Sequence, residues 1–234
     1  MHVFIAIPSD GQVHAWFAQS LAAMIARAMA EGVPSGAKRI QPRLTPRFEI
    51  GKLPMVRNRL LALAIESGAD YTLWLDSDHI FPDWALLRLL LADRDVVGIN
   101  QPSRSRPHFP TARGVDLRRL YGAEEDAKAG LVEQVSQIGF PLVLMRMSII
   151  ERLERQAAAE GREGIFPMFD FTMTADPDVS IGEDTFFCKR CAEAGIDIYL
   201  DHQLSWATWH IAELPVGMRE ALGDRAAAEA AGKV

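Results

Sequence analysis

The chain has little cysteine. Only Cys188 and Cys191 are present in 234 residues. One C-x-x-C pair offers half the ligands of a tetrahedral structural zinc site. Its flanks look helical, and at i, i+3 both sulfurs fall on one helix face. Core packing is the expected role, with a redox pair as the alternative. Long apolar runs are also missing. No stretch approaches the roughly 18 residues of a membrane span. No basic segment followed by an apolar run and a cleavage site appears near Met1, so no secretory signal is visible and the cytoplasm is the expected location. There is no internal repeat and no low-complexity linker. What remains is ordinary: 49% hydrophobic and 24% charged residues suit a soluble globular protein of one large or two small domains.

The net charge of −6 is unevenly spread. Lys38, Arg39, Arg43, Arg47, Lys52, Arg57 and Arg59 share a stretch whose one acid is Glu49. Arg104, Arg106, His108, Arg113, Arg118 and Arg119 form a second basic stretch. Either these are solvated surface, or they build a basic wall for phosphates of a nucleotide or nucleic acid.

Hydrophobic periodicity gives the element order. Residues 2–8 read as a strand, with Ser9 or Asp10 capping the helix that follows. Trp16, Leu21, Met24, Ile25, Ala28 and Met29 recur at helical spacing. A weaker strand is expected around 39–45, then a helix opening at Pro54 and ending at Gly68. A strand over 71–75, a helix from Phe81-Pro82 to Leu91 and a strand over 95–99 complete an alternating pattern, which predicts a parallel half-sheet. Residues 100–130 lose periodicity, as long functional loops do. Strands follow at 131–135 and 140–145, then a helix over 149–159 and a short aromatic strand over 166–171. After a polar loop at 172–181, Gly182-Glu183-Asp184 opens a helix to Ala194. A strand over 196–200 and a connecting segment over 202–210 follow. The alanine-rich tail after Gly223 is expected to fray.

The most informative run is Tyr71-Thr72-Leu73-Trp74-Leu75-Asp76-Ser77-Asp78-His79. A buried-strand pattern stops at two carboxylates spaced i, i+2. Open α/β sheets bind ligands at the carboxyl ends of their strands. Two hard oxygen ligands there can hold a divalent cation, which can hold a diphosphate. The alternative is a turn and a helix cap after a core strand.

Further pieces stand in order around this D-x-D: Met55-Val56-Arg57-Asn58, Val96-Val97-Gly98-Ile99-Asn100-Gln101-Pro102, Gly139-Phe140-Pro141-Leu142-Val143-Leu144-Met145-Arg146, Gly182-Glu183-Asp184-Thr185-Phe186-Phe187-Cys188, and Ile198-Tyr199-Leu200-Asp201-His202-Gln203-Leu204-Ser205 running to His210. In this order, from Ile5 to about His210, the chain resembles the family-2-type glycosyltransferases of GT-A fold, especially small phage and bacterial ones. The resemblance implies an α/β, Rossmann-type, mostly parallel sheet flanked by helices, with a smaller mixed acceptor-side half. It implies one domain over 1–222. Residues 1–100 would bind the nucleotide-sugar, 101–222 would form the acceptor and catalytic half, and 223–234 would be the tail. If the chain is phage-encoded, the host cytoplasm is its place.

Carried onto this chain, the resemblance makes Asp76 and Asp78 the ligands of Mn²⁺ or Mg²⁺, with Asp78 the direct one and His210 completing the site. It departs at Trp209-His210-Ile211-Ala212, where glycines are expected around the histidine and isoleucine. A bulky Trp209 changes the pocket. Glu183 and Asp184 resemble the acidic pair that supplies the catalytic base of inverting members, and Asp184 is the expected base. An acid at a helix N-terminus is favoured in its ionised form. Ordinary first-turn acids are the alternative. Pro8, Ser9 and Asp10 would meet the nucleobase and ribose. Arg57, Asn58, Asp76 and Ser77 would join them around the donor, a UDP-sugar by default. Trp84, Trp206 and Trp209 can stack on sugar faces or fill the core. The acceptor hydroxyl would belong to a polysaccharide or to hydroxymethylated phage DNA. The sequence leaves oligomeric state open.

Two rivals share the sheet and the carboxylates. A nucleotidyltransferase would need a Gly-rich phosphate loop after the first strand, but Pro8-Ser9-Asp10-Gly11-Gln12 has one glycine. A non-catalytic nucleotide-sugar-binding protein would have less need to keep Asp76, Asp78, Asp184 and His210.

Overall fold

Strand β1 (His2–Ser9) is buried along nearly its whole length. Successive side chains alternate between the two faces of a sheet. Val3, Ile5 and Ile7 therefore enter one core, and Phe4 and Ala6 enter another. A strand buried on both faces lies inside a sheet covered by helices on each side. The computed structural model, which describes residues 1–36, 38–162, 164, 166–173, 180–212 and 217–230, has this architecture.

From β1 the chain runs through α1 (Ala15–Glu31), a hairpin of β2 (Val33–Ser35) and β3 (Lys38–Ile40), β4 (Arg43–Ile50), α2 (Leu53–Glu66), β5 (Tyr71–Leu75), β6 (His79–Ile80), α3 (Ala85–Ala92) and β7 (Val96–Gly98). It continues with β8 (Arg113–Gly114), α4 (Glu124–Ala129), β9 (Val132–Gln137), β10 (Leu142–Arg146), α5 (Ile150–Ala159), β11 (Thr172–Met173), β12 (Ser180–Ile181), α6 (Glu183–Glu193), β13 (Ile198–Asp201), α7 (His202–Trp206), β14 (Trp209–His210) and α8 (Met218–Ala230).

The main sheet has eight strands in the order β4-β1-β5-β10-β7-β13-β9-β8. Only β10 and β9 run against the common direction. Helices α1 and α3 cover one face, with Phe17, Met24, Leu86 and Leu89 in its core. Helices α2, α5 and α6 supply the other core with Leu60, Leu61, Leu153, Phe187 and both cysteines. Cys188 and Cys191 are buried and free, and burial pushes the Cys188 thiol up to about 12, as suits inert packing groups.

The alternating pattern of the first hundred residues is present, with one change. β10 inserts antiparallel between β5 and β7. A Cβ at Gly98 would stand 2.8 Å from Val143 Cγ2, so glycine lets β7 lie tight against β10.

Other expectations are corrected. The α1 cap is His14, whose Nδ1 accepts from Trp16 N–H at 3.2 Å, and Ser9 and Asp10 instead close the preceding turn. Trp16 and Met29 lie on the exposed side of α1, while Phe17 and Ser20 face inward. The strand expected around 39–45 is divided between β3 and the first residues of β4, which continues to Ile50. The aromatic run 166–171 forms no strand: Met168 and Phe169 plug the core, where Phe169 meets Trp74, Phe140 and Phe187. The ends of the 172–181 loop pair as β11 and β12, and 174–179 fall outside the described residues. The tail beyond Gly223 is helical through Ala230, consistent with alanine's helix propensity. Residues 231–234 fall outside the described ones.

Candidate active site

Three chain segments meet at the carboxyl ends of β1 and β5. The turn Pro8–Asp10 forms one wall, Gly51 and Leu53 before and at the start of α2 form another, and Asp76–His79 form the floor. Gln101, Arg104 and His210 close a cleft of about 400 Å³. A small ladder brings the last residue here. Strand β6 pairs antiparallel with β14, placing His210 opposite His79 and Trp209 opposite Ile80. Ile211 N–H also donates to the Asp78 carbonyl at 2.8 Å. A histidine late in the chain is thereby fixed beside the D-x-D.

The two imidazoles stack, with centroids 4.3 Å apart and planes 16° from parallel. His210 Nδ1 lies 2.9 Å from the Pro102 carbonyl, which can only accept. That contact assigns the proton to Nδ1 and leaves Nε2 unprotonated as an acceptor, with Asp78 Oδ2 3.5 Å away. A backbone carbonyl that sets the tautomer in this way is common behind metal-binding histidines. Burial pushes His79 down to about 3, with His210 adding to the effect. Burial also lowers His210, and the charge of Arg104 adds to it. Both rings are neutral at pH 7, the form that binds metal.

Asp78, His79 and His210 offer ligand atoms that lie within 4.8 Å of one another. The donor set fits a divalent cation. Asp78 Oδ1 and His79 Nδ1 are buried 2.7 Å apart, yet neither makes a hydrogen bond of acceptable geometry. Arg104 supplies positive charge at the same spot. Its guanidinium pairs with Asp78 Oδ2, and its Nε donates to His210 Nε2 at 2.8 Å.

Asp76 lines the same cleft and is also paired beneath it. Its Oδ1 accepts from Arg57 Nη2 at 3.0 Å, and Arg57 Nε lies 3.5 Å from Glu183 Oε1. Arg57, 2% exposed, therefore ties the end of β5 to the start of α6. Its guanidinium also lies 5.0 Å from the Phe140 ring centroid. Burial raises the Glu183 carboxyl, with Arg57 opposing.

The structure thus gathers Pro8, Ser9, Asp10, Asp76, Ser77, Asp78 and His210 around one cleft. Arg57, Glu183 and Asp184 do not line it. Asp184 Oδ1 accepts from its neighbour Thr185 N–H at 2.6 Å, the contact of a first-turn acid. Asn58, expected at the donor, does not line the cleft either and contacts the 168–169 backbone. Its Oδ1 accepts from Met168 and Phe169 N–H, and its Nδ2 donates to the Phe169 carbonyl. Trp206 donates to the Gly122 carbonyl, Trp84 packs against the core, and Trp209 is 38% exposed. The site reading from sequence did not include His79 and Gln101. His79 directly follows the D-x-D, and that adjacency was the available signal. Arg104 was legible only as one member of a basic stretch.

No protein-family model and no curated protein sequence matches this chain. Solved structures match it in fold. The A197 protein from STIV aligns over 94% of this chain and 91% of its own, with a TM-score of 0.54 and 13% identity. GalNAc-T7, crystallised with UDP, GalNAc and Mn²⁺, aligns over 86% of this chain and 42% of its own, with a TM-score of 0.51 and 10% identity. At these identities the likeness shows the fold, and the fold is an α/β architecture of GT-A type.

Proposed function

We propose that this chain is a metal-dependent glycosyltransferase that moves a sugar from a nucleotide-sugar to an acceptor hydroxyl. One observation carries the reading. The β6–β14 ladder sets His210 on Asp78 and His79 at the carboxyl end of β5, facing the Pro8–Asp10 turn. GalNAc-T7, of similar fold, binds UDP and Mn²⁺, which supports a UDP-sugar donor here. One carboxylate with two imidazoles suits Mn²⁺ better than Mg²⁺, because magnesium prefers an all-oxygen shell.

In this reading residues 1–100 hold the donor, and 101–222 supply His210, Arg104 and the acceptor side. Pro8, Ser9 and Asp10 bound the nucleoside end of the cleft. Asp78, His79 and His210 hold the cation, which when bound stabilises negative charge on the departing diphosphate. With a cation on Asp78, Arg104 would be available to pair with a phosphate. Asp76 orients Arg57 rather than binding metal. Asp184, half-buried at the start of α6 and outside the cleft lining, is the proposed acceptor base, and its neighbour Glu183 is held by Arg57. A base opposite the departing group gives inversion.

Arg104 and the cation compete for Asp78. Exposed or half-exposed ion pairs are worth up to about 1 kcal/mol, so Arg104→Ala is expected to bind Mn²⁺ up to about fivefold more tightly. Isothermal titration checks this, and weaker binding would remove the competition. The function itself is tested with a labelled nucleotide-sugar and Mn²⁺, using polysaccharide and hydroxymethylated DNA as acceptors. Transferred sugar supports the reading. Nucleotidyl transfer to a sugar phosphate, or binding with no product, would replace it with one of the rivals. Among the described residues no helix is long and apolar enough to cross a membrane.

A further inference from the structure

A second cleft, of about 650 Å³, opens where β8 and its following turn meet α8. Arg113, Arg118, Arg119 and Arg225 line it together with Tyr121, and among the described residues its one lining acid is Glu229. Four guanidiniums against one carboxylate leave a local surplus of positive charge on a chain whose net charge is −6. A concave surface of one sign concentrates counter-ions and ligands of the other.

Neutralisation within the protein is incomplete. Arg113 Nη1 donates to the Leu117 carbonyl at 2.9 Å, and Arg119 Nη1 to the Pro110 carbonyl at 3.2 Å, both uncharged partners. Among the described residues neither forms an ion pair. Arg118 is 88% exposed and 3.8 Å from Asp116. Arg225 alone is closely paired, with Glu229 at 2.9 Å.

The lining is also aromatic and apolar. Arg225 lies 5.2 Å over the lining ring of Tyr121, whose hydroxyl is buried without a hydrogen-bond partner, and Arg119 lies 4.6 Å over Phe109, which is outside the lining. Leu117 adopts φ 66° and is 65% exposed. A branched residue held in the left-handed region with its side chain in solvent is the kind of strain that collects at binding sites. One connection joins the two clefts. The segment that carries Gln101 and Arg104 at the first leads on to Arg113–Tyr121 at the second. Helix α8 is anchored to that segment where Asp224 accepts from His108 N–H at 3.0 Å.

We infer that this cleft binds the phosphodiester backbone of a single nucleic-acid strand, separately from any nucleotide in the first cleft. A lone phosphate calls for donors converging on one point, whereas these guanidiniums are spread among rings and aliphatic surface. Single strands are held by that combination: cations track the backbone, and bases stack on aromatic and guanidinium planes. An uncharged polysaccharide would not use the positive charge. Strand binding stands on this cleft alone; that the strand is the acceptor rests also on the glycosyltransferase reading.

The test is fluorescence anisotropy of a labelled single-stranded DNA oligonucleotide with the full chain. With about three phosphates contacted, a roughly fourfold rise in salt is expected to weaken binding about 20-fold. The double variant Arg118→Ala/Arg225→Ala should weaken it by at least about tenfold. Arg118→Glu, at an exposed position, should weaken it without moving the thermal midpoint. Unchanged binding in the arginine variants, no response to salt, or no binding overturns the proposal. So does equal competition by inorganic phosphate, which would make this a small-anion site, or by a sulfated polysaccharide, which would make it a general polyanion site. Strand binding without any sugar transfer would keep this cleft and remove the transferase reading. Sugar transfer without strand binding would do the reverse.

Discussion

Replacing Arg57 by alanine is expected to lower the unfolding free energy by about 3–5 kcal/mol, the usual loss when one partner of a buried ion pair is removed. Arg57 sits between two carboxylates and two aromatic rings, with Asp76 at 3.0 Å, Glu183 at 3.5 Å, and Phe140 and Phe169 beneath it. Removing it leaves both acids half-enclosed without their counter-charge, and Glu183 is already raised by burial. It also opens a void beside the rings. Lysine is not a conservative substitute, because a compact ammonium cannot span two carboxylates as a planar fork does. Adding Glu183→Gln to Arg57→Ala should restore about 1 kcal/mol, since one unpaired buried charge is gone. Urea unfolding measures both. A loss below about 1 kcal/mol would mean that water already compensates these acids and that Arg57 does not tie β5 to α6.

The second large effect concerns Asp78. Asp78→Ala is expected to lower Mn²⁺ affinity by more than about 100-fold, because losing even a group behind the ligands typically costs 10–100-fold. Asp78 supplies the carboxylate of the donor set; without it, two neutral imidazoles face the cation and Arg104 loses its partner. The fold should hold, since the Asp78 side chain is 31% exposed and lies at the end of the sheet. Equal Mn²⁺ affinity in parent and variant, by isothermal titration, would show that the cation is held elsewhere. Asp76→Asn separates the two acids of the D-x-D. It should leave Mn²⁺ affinity within a few-fold and instead weaken the contact to Arg57.

The sequence made some of this legible and concealed the rest for physical reasons. β1 and β5 are visible because strands buried on both faces are continuous apolar runs, and the run of β5 ends where charge can reach solvent. The start of α2 was marked by Pro54 and that of α6 by Gly182-Glu183-Asp184. The antiparallel entry of β10 was hidden, because nothing in Leu142–Arg146 specifies the direction of its neighbours. The aromatic stretch 166–171 has the composition of a strand, yet its burial comes from Asn58, which reaches across 110 residues to grip the Met168 backbone. No local pattern encodes such a contact. The same holds for the site. The D-x-D was readable, but the division of labour between Asp76 and Asp78 depends on Arg57 and Arg104, and His79 gains its meaning only when β14 pairs with β6.

The most direct test of a metal-dependent nucleotide site is thermal unfolding of the full chain against a panel of nucleoside diphosphates and nucleotide-sugars, each with Mn²⁺, Mg²⁺ or EDTA. A ligand that binds only the folded state raises the midpoint by mass action. The expected result is a rise with one nucleotide series in Mn²⁺ that disappears in EDTA and in Asp78→Ala. A well-folded chain whose midpoint responds to no nucleotide, or responds equally in EDTA, would contradict it and leave Asp76 and Asp78 as the turn after a core strand.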